Sequence, residues 1–181
     1  MSVLVDNNIS EATAYSILGD AAIKIGQSFS NSYPSCNISS CKFYLGVEGS
    51  IVGNVTASLF AHDGTYGSSS VATGVALATS SEISVSVLSA TPSFIEFTFV
   101  ETYAMVAYQK YVIVLEYDGS DQENYVFLGR NTAHGGNGCY YSDFWGWEYN
   151  NSDYLFYVYG NAAFPTISNI SQISGISSIT F

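Results

Sequence analysis

FIEFTFVETYAMVAYQKYVIVLEY, residues 94–117, decides the fold. Two runs stand out in it, Phe94–Val100 and Tyr111–Tyr117. In the first, Ile95, Phe97 and Phe99 fall on one face. In the second, Tyr111, Ile113, Leu115 and Tyr117 share a face, and Val112 and Val114 share the other. Alternation of β-branched and aromatic residues with period two is the signature of strands. A run that is apolar on both faces belongs inside a sheet rather than at its edge. The reading predicts a central pair, with Phe97, Phe99, Ile113 and Leu115 buried.

Composition agrees with an all-β chain. Its 181 residues include 15 Tyr, 11 Phe and 16 Gly, but only 3 Pro, and long helix-forming tracts are absent. One domain of this size buries roughly 70% of its unfolded surface and folds without a metal or disulfide staple. Outward from the central pair, strands are expected at 3–6, 21–30, 41–49, 54–64, within 75–89, at 125–130 and at 154–160. A turn or two of helix is expected at 9–19, with Ser10 as its cap. Loops are expected at 31–40, 65–74 and 131–153. Eight to ten strands at this spacing predict an antiparallel two-sheet β-sandwich, jelly-roll-like, over residues 1–164.

Four Lys and Arg stand against 15 Asp and Glu, a net charge of −11. Nucleic acid binding needs cations against phosphates, so that class is excluded. An anionic membrane surface is excluded by the same shortage. No run of 18 apolar residues offers a transmembrane helix, and MSVLVDNNIS lacks the basic and apolar regions of a signal peptide.

The order of segments carries a resemblance. IGQSFS (25–30), KFYLGVEGS (42–50), VTASLFAHDG (55–64), VALATSSEISVSVLS (75–89), FIEFTFV, KYVIVLEYDGS (110–120) and YLFYVYG (154–160) together resemble β-sandwich modules of bacterial and phage surface proteins. These are the choice-of-anchor and carbohydrate-binding-like jelly rolls. The resemblance implies a noncatalytic module of attachment, adhesion or sugar binding, located extracellularly or on a cell or virion surface. It supplies no active-site residues.

Five sets of residues are candidates for function. Tyr140, Tyr141, Phe144, Trp145, Trp147 and Tyr149 cluster in one segment that holds both tryptophans. Sugar rings present C–H faces that stack on aromatic rings, so Tyr141, Trp145, Trp147 and Tyr149 are candidate carbohydrate contacts; the bland alternative is a cover for the end of the core. Asp118, Asp121 and Glu123 put three carboxylates in one turn, which could hold calcium or simply be solvated. Cys36 and Cys41 flank a short turn-rich stretch, so they are expected to form a disulfide or to stand as free thiols, with Cys139 alone. Asn8, Asn37, Asn54, Asn150 and Asn169 lie in N-x-S/T sequons, of which Asn37 and Asn54 are best placed to carry a glycan in a glycosylating pathway. His62-Asp63 and His134 lack an accompanying nucleophile motif, so no enzyme is expected.

The fifth set is the tail, residues 165–181. Ile167, Ile170, Ile173, Ile176 and Ile179 recur at every third position, a period of neither helix nor strand. An extended ribbon with one apolar edge fits it. The expectation is a homo-oligomer, in which the tail docks head-to-tail on a neighbouring copy and builds a filament or surface appendage.

Overall fold

A computed structural model describes residues 2–19, 22–119 and 123–162. Its strands, in chain order, are β1 (Ser2–Asn8), β2 (Ala14–Leu18), β3 (Lys24–Ser30), β4 (Cys36–Glu48), β5 (Asn54–Asp63), β6 (Val71–Thr79), β7 (Ile83–Ser84), β8 (Ser93–Thr98), β9 (Ala104–Met105), β10 (Lys110–Tyr117), β11 (Tyr125–Asn131), β12 (Gly138–Ser142), β13 (Gly146–Tyr149), β14 (Asp153–Tyr154) and β15 (Phe156–Ala162). All pair antiparallel, in two sheets. The chain is an all-β two-sheet sandwich, as the alternation predicts. The tail, with Ile167, Ile170, Ile173, Ile176 and Ile179, lies outside the described residues, as do Asp121 and Asn169.

The first sheet is built on β4, which carries β15 and then β11 along one edge and β9 and β8 along the other. β1 extends it beyond β15, and β2 beyond β11. The second sheet runs β13-β12-β3-β10-β5-β6, with β7 on the end of β5. β10 is its centre, bonded to β3 and β5. That position explains its two apolar faces: Ile113 and Leu115 face the core between the sheets, while Val112 and Val114 belong to a second, smaller cluster on the other side.

The two runs that decide the fold do not pair with each other. β8 bonds to β4 in the first sheet, and β10 lies in the second. They meet face to face across the core, where Phe97, Phe99, Ile113 and Leu115 are all buried.

Three local expectations are corrected. Residues 9–19 hold strand β2 and no helix. A segment so short is marginal as a helix in water, and β11 offers it a full ladder of partners. The loop at 31–40 ends early, because β4 begins at Cys36. The 131–153 segment contains the hairpin β12–β13.

The disulfide expectation falls with the second of these. Cys36, Cys41 and Cys139 are free and buried. Cys36 and Cys41 sit five positions apart on one extended strand, roughly 16 Å at about 3.3 Å per residue, far beyond bridging distance. Both nonetheless face inward. A bulge at Ser39, where Tyr159 pairs with Ser40 but Gly160 pairs with Ile38, shifts the alternation by one. Cys36 and Ile38 precede it, Cys41, Phe43 and Leu45 follow it, and all five are buried.

One end of the sandwich is closed by polar groups. Gln27, fully buried on β3, accepts from the Tyr154 amide at 2.7 Å and donates to Asp153 at 3.4 Å. The His134 amide donates to the other Asp153 oxygen, and its ring meets Asp6 at 3.2 Å. Among the described residues, no buried side-chain nitrogen or oxygen lacks a hydrogen-bond partner, as burial of polar groups demands.

Candidate functional site

The outer face of the second sheet presents one row of side chains in direct register. Trp147 on β13 is paired with Tyr141 on β12, Tyr141 with Lys24 on β3, Lys24 with Glu116 on β10, and Glu116 with Thr56 on β5. Residues directly opposite in such a ladder lie within side-chain reach. Lys24 Nζ sits 2.8 Å from Glu116 Oε2, partly exposed on both sides, and 6.0 Å from the centre of the Tyr141 ring. The Tyr141 and Trp147 rings meet edge-on at 5.5 Å.

The sheet is curled, so this row lines a cleft rather than a plane. Behind the row, Ala72, Val112, Val114 and Cys139 form a small buried cluster, and Phe60, Val71 and Trp147 pack over it. Gly26 makes the packing possible: a Cβ there would stand 2.9 Å from both Cys139 Sγ and Val112 Cγ1. Burial pushes the Cys139 thiol up to about 12, so it is a packing residue rather than a nucleophile.

Two cavities open along the cleft. One, of about 370 Å³, lies among Lys24, Phe60, Gly74, Tyr141, Asp143 and Trp147. The other, of about 520 Å³, lies among Asn54, Thr56, Ser58, Thr79, Glu82 and Asp118. Both also touch Lys24, Phe60 and Glu116, so they adjoin. Their lip is a wide bulge in β6. Ala61 pairs with Thr73 and Leu59 with Ala78, so Gly74–Leu77 swing out opposite Phe60. Gly74 takes φ 74°, the left-handed region glycine tolerates, and Val75 is 81% exposed.

The sequence-predicted aromatic set is therefore split. Tyr141 and Trp147 line the cleft. Trp145 lies in the hairpin turn, edge-on to Phe144 at 4.7 Å, and does not line it. Tyr149 is exposed beside Trp147 and Glu148 in a shallow neighbouring cavity. Tyr140 points the other way, into the main core, and its hydroxyl donates to Glu148.

The carboxylates of the acidic turn do separate work. Asp118 accepts from the Asn54 amide at 2.6 Å and lines the cleft. Among the described residues no three His, Cys, Asp or Glu converge in a way that could hold a metal ion; Asp121, the third member with Glu123 of the expected calcium set, is outside them.

The sequons differ in access. Asn8 is 4% exposed and donates to Asn131 and to the Tyr154 carbonyl, so a glycan there is incompatible with this packing. Asn150 is tied to Tyr154 and Ser152. Asn37 and Asn54 are partly exposed.

The histidines are occupied by structure. His134 Nδ1 accepts from the Gly136 amide at 3.0 Å. His62 Nε2 meets Ser70 Oγ at 2.9 Å, but Ser70 is fully buried and no substrate reaches it.

The outer face of the first sheet holds aromatic residues that the sequence reading did not single out. Tyr44, Phe94 and Tyr157 touch in series at 5.2 and 4.9 Å, and Tyr15 meets Phe127 edge-on at 5.2 Å. The Phe127 ring lies over Gly46 and the Tyr44 ring over Gly129.

No family model and no curated protein matches this chain.

Proposed function

We propose that this chain is a noncatalytic extracellular adhesion module that holds a carbohydrate in the cleft of its second sheet. The observation that carries this reading is the registered row Trp147–Tyr141–Lys24–Glu116–Thr56. It joins aromatic faces for sugar C–H groups to a charged pair and a hydroxyl for sugar O–H groups. A few fixed polar groups beside aromatic walls are what an oriented small-ligand site requires, and each cavity falls in the usual size range of about 300–1,000 Å³. The occupied rings of His62 and His134 support a noncatalytic role.

A glycan array probed with the full chain tests the reading. Binding that is lost in Trp147→Ala and kept in Trp145→Ala supports it. Loss in neither variant, or no binding across the array, rejects it.

A second reading concerns assembly. Residues 165–181 contain no Lys, Arg, Asp or Glu and place an Ile at every third position, which favours docking of this tail on a neighbouring copy to build a head-to-tail filament. Particle size with and without residues 165–181 tests it: the truncated chain should stay folded and cease to assemble. A full chain that is monomeric at high concentration rejects it.

A further inference from the structure

Resting on the carbohydrate reading, we infer that the cleft takes an uncharged glycan chain along its length, several sugar units at once, and excludes acidic glycans. The first part follows from shape. The two cavities share Lys24, Phe60 and Glu116, so the Lys24–Glu116 pair lies between them rather than at a closed end. A terminal sugar would fill one cavity; a chain passing over the ion pair fills both. Trp147 and Tyr141 wall one side with rings, and Thr56, Ser58 and Thr79 offer hydroxyls on the other, those of Ser58 and Thr79 being 3.2 Å apart. The ion pair beneath the middle of the chain presents a donor and an acceptor side by side. Neighbouring sugar hydroxyls match that spacing, one accepting from Lys24 and one donating to Glu116, and bonds to charged groups are the stronger kind.

The second part follows from charge. Glu82, Glu116, Asp118 and Asp143 line the cleft, against the single cation Lys24. Lys24 is already neutralised by Glu116 at 2.8 Å, and the whole chain carries −11. A uronate, sulfate or sialate entering here meets a negative field with no unpaired cation to receive it, and like-charge juxtaposition rejects wrong partners.

The bulge of β6 fits the same picture. Gly74–Leu77 leave the ladder opposite Phe60 and uncover its ring at the junction of the cavities. Bulges beside sites re-aim the chain in this way.

The experiment is calorimetric titration of the full chain with neutral hexasaccharides chosen from the array, with their disaccharides, and with polygalacturonate. The expected result is binding of a neutral hexasaccharide, weakening by roughly tenfold or more for its disaccharide, little change between low and high salt, and no binding of polygalacturonate. Glu82→Gln with Asp118→Asn should leave neutral binding within about twofold and admit the polyuronate weakly at low salt. Polygalacturonate binding to the unaltered chain as tightly as the neutral chain overturns the charge argument while leaving the cleft reading intact. Equal affinity for disaccharide and hexasaccharide overturns the lengthwise argument alone. Should Trp147→Ala fail to fold, Lys24→Met on the exposed floor reports location instead: unchanged hexasaccharide binding there overturns the proposal. Failure of every glycan, neutral or acidic, overturns the underlying reading as well.

Discussion

The rings of Phe60 and Trp147 meet edge-on at 6.2 Å although their strands stand four places apart in the second sheet. In a flat sheet four steps of about 4.8 Å would separate them by roughly 19 Å. The contact is therefore a measure of curl, and it holds the walls of the cleft together. Replacing Phe60 and Trp147 by Ala, singly and together, should reveal a coupling of about 0.5–1.5 kcal/mol in urea unfolding. Strictly additive losses would show that the curl is set by the backbone alone.

Gly26 and Cys139 should be coupled in the opposite sense. Gly26→Ala places a methyl against Cys139 Sγ and Val112, and overpacking of this kind costs about 1–3 kcal/mol. Cys139→Ala removes the sulfur that the methyl meets. The double variant should recover part of the loss, read as a midpoint shift toward the unaltered protein. No recovery would place the strain on Val112.

All three thiols should be silent to a thiol reagent in the native protein and all three reactive after unfolding. Each is buried. Burial raises the Cys36 and Cys139 thiols, and burial with the Glu96 charge raises that of Cys41. A reductant should leave the melting temperature unchanged. A drop in melting temperature on reduction, or only one reactive thiol after unfolding, would reinstate a bridge.

Mild acid should weaken the fold through His62. Burial holds its pKa below the ordinary value, Lys110 adds to this, and Asp63 opposes it. The unfolded chain takes up this proton first, so the stability His62 contributes is present above about pH 6.5 and declines as the pH falls below it. His62→Gln keeps a partner for Ser70 without titrating. The melting temperature of the parent should fall relative to that variant between about pH 6.5 and 5. Parallel curves would remove His62 from the acid response.

What was legible in the sequence was what is local. Alternation in 94–117 identifies the buried faces of β8 and β10, and Phe97, Phe99, Ile113 and Leu115 are where it puts them. Strand partners are not local, so the same alternation could not tell that β8 and β10 sit in different sheets. The Ser39 bulge disguised β4 as a loop with two cysteines at its ends, because its alternation changes phase midway. The cleft was half visible. Tyr141 and Trp147 announce themselves by composition, but Lys24, Phe60 and Glu116 come from three distant strands, and only register brings them together. No pattern within any one of those strands distinguishes them from ordinary surface residues.

The phase change in β4 also constrains how the gene can vary. Deleting the codon for Ser39 would restore an unbroken alternation, yet it would turn either Cys36 and Ile38 or the run from Cys41 to Leu45 out of the core. Loss of a single codon in this strand should thus be far more damaging than a substitution at Ser39 itself, whereas the connection at 31–35 should accept length changes. Insertions and deletions, scored across the coding sequence, would trace the bulge as a point where residue number matters more than residue identity.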